Sequence, residues 1–323
     1  MIVVTGGLGF IGSNIIKKLN MGGRFDIVIV DDFSDGKLVE NVNDLVVSDF
    51  IEIKDLPDFL HKNKQNIEVI FHQGAVSDTT CWDGRLVMER NYHFSKKLVD
   101  ICVQYEITFV YASSASVYGT GNIFRETPEC EMPVNLYAYS KLLFDQYVRN
   151  AGLLNNARTK IFGLRYFNVY GPRERMKKHM SSPVFKLSQQ ILDTGIGKLF
   201  GGYLDYDAGE QMRDFIYVDD IVDVNLWFWK NNVNNGIYNV GTGTPVSFNE
   251  LGSAVIHQLR SLGLKEGKLE YIEFPKQLEG FYQSYTKADI QNLRLNGYTA
   301  DFIDIKEGVR RYLSDSKRGF NLN

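Results

Sequence analysis

The stretch Met1–Gly12, MIVVTGGLGFIG, decides how the chain is read. Ile2-Val3-Val4 is a short run of branched apolar residues, the composition of a strand buried on both faces. It breaks into Gly6-Gly7-Leu8-Gly9-Phe10-Ile11-Gly12, and sequence with helical spacing follows. Gly6 can take the tight turn out of the strand. Gly9 carries no side chain to hold a pyrophosphate off the backbone, and Gly12 lets the helix pack closely on the sheet. The open N–H groups and positive dipole end of that helix suit phosphates. A glycine triplet alone also fits an ordinary βα turn. Here a second strand, Asp26–Val30, ends at Asp31-Asp32, the place for a carboxylate beside an adenosine ribose.

Working outward, Phe10–Met21 carries Ile11, Ile15, Ile16 and Leu19 at helical spacing, and Gly22-Gly23 stops it. Phe33–Asn43 is polar and reads as loop. Lys37 and Lys54 lie where they could meet a ribose 2′-phosphate, and are read equally well as solvated lysines. Val69-Ile70-Phe71-His72 is another buried strand. It runs into Gln73-Gly74-Ala75-Val76-Ser77, whose small residues let backbone approach a ligand. Arg85–Tyr105 reads as one long helix, with Asn91 upon it. Phe109–Ala112 is a strand leading to Ser113-Ser114, Leu142–Val148 a helix and Thr159–Tyr166 a strand. This βαβ rhythm predicts an α/β fold, a doubly wound parallel sheet of Rossmann type.

After Tyr166 the rhythm changes. Asn168–Arg173 is turn-rich, Ser182–Leu192 helical, Gly201–Gly209 irregular. Arg213–Asp220 reads as a short strand capping a helix at Asp219 or Asp220. Gly236–Val240 is a further strand, and Ser247–Ser314 alternates helices with a strand at Leu269–Phe274. We expect a dinucleotide-binding domain over 1–167, to which 214–241 returns. A smaller mixed α/β substrate lobe would come from 168–213 and 242–323, with ligands in the cleft between them.

The 323 residues suit two joined lobes, and 44% hydrophobic with 23% charged residues is ordinary for a globular chain. A net charge of −3 argues against a nucleic-acid partner, since no basic stripe could neutralise phosphates. Cys81, Cys102 and Cys130 cannot all pair and suggest a reducing compartment. No apolar run is long enough for a membrane span. With a strand beginning at residue 2, the expected location is the cytoplasm. The five histidines, at 61, 72, 93, 179 and 257, show no metal-ligand spacing.

Chemistry gathers around Tyr137, which precedes Lys141 by one helical turn. Residues i and i+4 share a helix face, so the two heads can converge, with Tyr139 and Ser140 facing elsewhere. An ammonium near a phenol favours phenolate, lowering the phenol from its ordinary value and making Tyr137 a proton carrier. Ser114, at a strand end, could hydrogen-bond the same substrate oxygen.

The spacing Gly-x-x-Gly-x-x-Gly, with TGGLGFIG (5–12), YASSASVYG (111–119), YAYSK (137–141) and RYFNVYGPRE (165–174), resembles the extended short-chain dehydrogenase/reductases that act on nucleotide sugars. More narrowly, HQGAVSDTTCWDG (72–84), NVYGPRERMKKHMSS (168–182), RDFIYVDDIVDVNLWF (213–228) and FYQSYTKADI (281–290) resemble the branch that epimerises ADP-heptoses for lipopolysaccharide cores. That resemblance implies tightly held NADP, with NAD the lesser expectation, reached by Phe10, Ile11, Asp31, Asp32, the 73–77 loop, Asn91, Lys141 and Val169. It implies catalysis by Ser114, Tyr137 and Lys177. It places the ADP-heptose on Asn168, His179, Lys186, Phe200, Gly201, Gly202, Tyr203, Arg213 and Tyr282, and suggests a homo-oligomer.

This chain departs from the pattern in places. His179 stands where that branch often has Ser, and Lys186 where it often has His. Lys37 is one place off the expected phosphate-binding lysine. Asp32 replaces a common Asn, and a second carboxylate disfavours a 2′-phosphate. Lys177 lies between Arg175 and Lys178, cations that would lower its pKa and help it act as a base; it could also simply hold the ADP phosphates. The presence of Tyr137 and Lys141 weighs against a non-catalytic NADP-sensing protein. Trp82-Asp83-Gly84 and Lys177 weigh against a UDP-hexose 4-epimerase, and the absence of an acid after Ser114 against a 4,6-dehydratase.

Overall fold

The computed structural model describes residues 1–156 and 158–315. The last eight residues of the expected 242–323 span therefore lie outside the described residues. Thirteen strands are named here in chain order. They are β1 (Ile2–Thr5), β2 (Ile27–Asp31), β3 (Asp49–Glu52), β4 (Val69–His72), β5 (Thr108–Ser114), β6 (Ile161–Tyr166), β7 (Asn168–Tyr170), β8 (Ile196–Phe200), β9 (Met212–Arg213), β10 (Phe215–Tyr217), β11 (Gly236–Val240), β12 (Val246–Ser247) and β13 (Lys268–Ile272). The helices are α1 (Phe10–Met21), α2 (Leu56–Asn63), α3 (Gly84–Met88), α4 (Phe94–Tyr105), α5 (Leu136–Asn150), α6 (Pro183–Thr194), α7 (Val218–Lys230), α8 (Phe248–Ser261), α9 (Gln291–Leu295) and α10 (Ile305–Ser314).

Seven strands form one sheet in the order β11-β6-β5-β4-β1-β2-β3, every pair parallel. β1, β4 and β6 are buried at every residue, as near-continuous apolar strands are when helices cover both faces. Ile15 and Ile16 of α1 share one core with Ile221 and Val224 of α7. Leu60 of α2, Leu98 of α4 and Phe144 of α5 share the other. The doubly wound sheet is thus as expected. Strand order reverses beside β1, so the carboxyl ends of β1 and β4 open a crevice. Beyond the sheet, α6, α8 and α10 pack Leu187, Val255 and Val309 into a separate core with Leu199 of β8, which pairs in parallel with β13.

Several local expectations need correction. The span Arg85–Tyr105 is not one α-helix: a π-helical turn, Glu89–His93, separates α3 from α4. A widened turn leaves apolar spacing almost intact, so periodicity does not reveal it. Phe33–Asn43 is not all loop, since Gly36–Asn41 winds into 3₁₀ helix after Asp35 accepts from Lys37 N. Neither Asp219 nor Asp220 caps α7. The helix starts at Val218, placing both acids in its first turn, where the dipole favours them. Asp220 Oδ2 instead accepts from Ile303 N at 2.9 Å. The late strand covers Lys268–Ile272 rather than Leu269–Phe274. None of the three cysteines is paired, and among the described residues no helix is long and apolar enough to cross a membrane.

Candidate active site

At the end of β1 the backbone turns through Gly6, with φ 66°. A Cβ there would come within 2.6 Å of Gly74 backbone, so the glycine loop and the 73–77 loop touch main chain to main chain. A Cβ on Gly12 would lie 2.2 Å from Gly6 O. Gly12 therefore lets α1 pack on its own loop, not on the sheet as expected. Gly9 occupies the N-cap of α1, and no side chain caps the helix. Its first N–H groups stay open to an anion, so this cradle fits a dinucleotide pyrophosphate. Phe10 and Ile11 form the first turn.

Asp31 sits at the end of β2 as expected. Leu8 N donates to its Oδ2 and Asp32 N to its Oδ1, both at 2.8 Å, while burial raises its pKa. Asp32 Oδ2 accepts from Arg90 at 2.9 Å, a partner that sequence spacing does not indicate. Lys37 and Lys54 are exposed. In the 73–77 loop, Gln73 bonds Tyr166 and Asn225 (3.0 and 3.2 Å), Gly74 N donates to Thr5 Oγ1, and Ser77 is exposed. Ala75 and Val76 are half-buried. Asn91 is 1% exposed and lies on the π-turn. It exchanges hydrogen bonds with Val76 (2.8 and 3.0 Å) and donates to Ser140 Oγ (3.0 Å). Ser140 thus faces the site's frame, contrary to expectation. Asp83 caps α3 through Leu86 N, and Trp82 is exposed.

Asn135 caps α5 through Ala138 N, and Tyr137 stands in the first turn. Its hydroxyl hydrogen-bonds Ser114. Ser114 Oγ also accepts from Ser116 N and Oγ, at 3.2 and 2.9 Å. Lys141 is buried, and its Nζ donates to Ala112 O at 2.9 Å. Burial pulls this ammonium down to about 8 against the opposing pull of Asp145. The expected lowering of Tyr137 does not hold in this state. Burial raises the phenol, the Ser114 hydrogen bond lowers it, and the raising wins. Sequence spacing reveals the neighbouring cation but not the dry surroundings.

Lys177 lies on segment 171–182, its Nζ 5.5 Å from the Phe10 ring centroid at the head of α1. Its pKa is lowered, first by burial and then by Lys186, with Glu174 raising it. Arg175 and Lys178 are not the cause: they turn outward to Glu40 (3.5 Å) and Asp35 (3.4 Å). Arg173, buried and at φ 74°, donates to Asn41 O and to both Asp44 oxygens (3.0 and 2.8 Å). On the opposite side His179 Nε2 meets Asp78 Oδ2 at 3.1 Å. The segment is thus tied to the loops after β2 and after β4.

On β9 Arg213 is 9% exposed, its guanidinium 4.8 Å from the Tyr282 ring centroid and Nη1 3.4 Å from Gln283 Oε1. Its Nε is buried without a partner. Tyr203 stacks on Phe274 at 3.9 Å and 5°, and Phe200 and Tyr282 meet Phe274 edge-on. This aromatic wall beside a cation suits a nucleobase and its phosphates. Phe274 was missed, since the sequence offers only an isolated Phe-Pro. Gly201 N donates to Ile272 O at 2.7 Å, and Gly202 abuts Tyr206 O. Asn168 Oδ1 accepts from Thr286 at 3.4 Å. Val169 pairs with Ile216, and Lys186 is exposed on α6.

The backbone agrees with solved nucleotide-sugar enzymes. An ADP-L-glycero-D-manno-heptose-6-epimerase from Helicobacter pylori is 31% identical, TM-score 0.80, over 97% of this chain and 94% of that one. A UDP-N-acetylglucosamine 4-epimerase from Methanobrevibacter ruminantium is 28% identical, TM-score 0.80, over 97% and 96%. A UDP-glucose 4-epimerase from Thermotoga maritima is 26% identical, TM-score 0.79, over 97% of each chain. Residues 2–241 match the NAD dependent epimerase/dehydratase family, and the chain belongs to it.

Proposed function

We propose that this chain epimerises ADP-D-glycero-D-manno-heptose at C6″ to the L-glycero form, in the cytoplasm and for lipopolysaccharide core synthesis. The observation that carries the proposal is Lys177, a half-buried amine over Phe10 at the head of α1, added to Tyr137 with Ser114 and Lys141. When bound in the cradle of Gly6, Gly9 and Gly12, a nicotinamide dinucleotide supplies reversible hydride acceptance. Asp31 would hold the adenosine ribose, and Asn91, through Val76, the shape of the loop beside the cofactor.

Inverting one carbinol centre presents the sugar in two orientations, each needing a proton carrier on its own side. Tyr137 takes or gives the proton in one, with Ser114 bonded to the same oxygen. Lys177 does so in the other, its lowered pKa helping it cycle near neutral pH. Arg213 clamps the pyrophosphate, and the wall of Phe200, Tyr203, Phe274 and Tyr282 takes the base. Arg90 favours NADP over NAD, because a guanidinium at the end of β2 suits a 2′-phosphate. Its pairing with Asp32 works against that, so the mass of the nucleotide released on denaturation is the deciding measurement.

Tyr137→Phe and Lys177→Met should each cut turnover by about 10²–10⁴-fold while leaving nucleotide bound. A Lys177→Met rate near that of the unaltered chain removes Lys177 from the reaction. Matches of similar quality to UDP-sugar 4-epimerases support a second reading. Assaying ADP-heptose and UDP-galactose side by side separates the two.

A further inference from the structure

Glu174 ends the NVYGPRE stretch (168–174), three residues before Lys177. It has no exposed surface. Its Oε1 accepts from Gly171 N at 3.2 Å and Ser182 Oγ at 2.8 Å, and its Oε2 from Ser182 N at 2.5 Å. The hydroxyl of Tyr312, on α10, also bonds it. Burial raises the pKa of this carboxyl group, while the bonds from Ser182 and Gly171 and the charge of Lys177 oppose that rise. Four donors around the group match an acceptor-only carboxylate. Gly171 and Ser182 are the first and last residues of the segment that carries Lys177. One buried carboxylate therefore closes that segment into a loop. The Glu174 main chain contributes as well, its carbonyl accepting from Lys177 N at 2.9 Å.

An amine pushed out of water sheds its proton unless a negative charge stands nearby. The groups facing Lys177 are Glu174 within its own segment, Lys186 from α6 and the Phe10 ring from α1. Arg175, Lys178 and His179 turn to Glu40, Asp35 and Asp78. Glu174 is thus the acid set against Lys186 in fixing the charge of Lys177.

We propose that Glu174 is the positioning residue for Lys177. Its carboxylate joins the two ends of segment 171–182 and supplies the charge that holds the Lys177 ammonium over the head of α1. The proposal rests on the reading of Lys177 as the second proton carrier, but its test does not require substrate. The pH dependence of Lys177 acetylation by acetic anhydride, read by peptide mass spectrometry on the full chain, gives the titration midpoint of that one amine. In Glu174→Gln the midpoint should fall by about one pH unit. Ser182→Ala removes one donor and keeps the charge, so it should leave the midpoint in place. An unmoved midpoint in Glu174→Gln, or an equal fall in Ser182→Ala, overturns the proposal.

Should Glu174→Gln not fold, Glu174→Asp keeps the charge and draws it back by one methylene. It should lower the midpoint by a smaller amount, and an unmoved midpoint overturns the proposal equally. A Lys177→Met chain with undiminished turnover would defeat the proton-carrier reading while leaving the labelling result intact, so the two failures are distinguishable.

Discussion

The two proposed proton carriers, Tyr137 and Lys177, stand on supports of opposite kind. Tyr137 stands on α5, whose inner face is built into a buried ionic network. Arg165, fully buried on β6, pairs with Asp145 of α5 and with Glu131, and Tyr111 and Ser113 each donate to Asp145 at 2.9 Å. Lys177 stands on a segment with two non-glycine residues at positive φ, Arg173 at 74° and Lys178 at 53°. Its outer ties, Arg175–Glu40, Lys178–Asp35 and His179–Asp78, are largely exposed pairs worth little individually. The proposed carrier on α5 is fixed by a satisfied network in a dry interior. The other is held by surface pairs, the buried Arg173 with its bonds to Asn41 and Asp44, and one buried acid, against the cost of two strained residues. Two side chains proposed for one kind of proton transfer thus differ in how rigidly they are held.

The sharpest way to break that contrast is Asp145→Ala. It strips a counter-charge from buried Arg165 and should cost about 3–5 kcal/mol in urea denaturation. A loss below about 1 kcal/mol would mean that the network does not hold α5. Lys141→Met comes next and has the opposite sign. Below pH 8 the folded chain carries an ammonium that burial disfavours, so the variant should be more stable by about 1–2 kcal/mol at pH 7, though inactive. From pH 8 to 10.5 the unfolded unaltered chain retains a proton that the folded one has shed. Its stability therefore rises with pH there, and the variant's advantage should shrink across that window. Denaturation at pH 7 and pH 10 checks the sign. The smallest effect belongs to Lys178→Gly. Lys178, at φ 53° and ψ −122°, occupies a region that glycine enters freely. Relief of that strain, less the added freedom of the unfolded chain, should stabilise by about 1 kcal/mol. An unchanged denaturation midpoint would show that the segment bears no such strain.

The sheet and the glycine turn were legible because they are local. A buried strand, a glycine that must turn and a helix with an open N-terminus all fall within twelve residues. The pair Tyr137 and Lys141 was legible for the same reason, one helical turn setting their spacing. What escaped was set by distant chain. The sign of the Tyr137 shift depends on how dry its surroundings are, which no neighbour in sequence reports. Phe274 joins Phe200, Tyr203 and Tyr282 only when three separated segments fold together. Arg90 reaches Asp32 across 58 residues. Glu174 spans only eight positions to Ser182, yet no periodicity marks a carboxylate that closes a loop.

In the sheet, β1 lies between β2 and β4. Segment 171–182 is fastened on one flank to Asp35, Glu40 and Asp44, and on the other to Asp78. Such a path roofs the head of α1, and a dinucleotide seated beneath would leave only after one row of fastenings had parted.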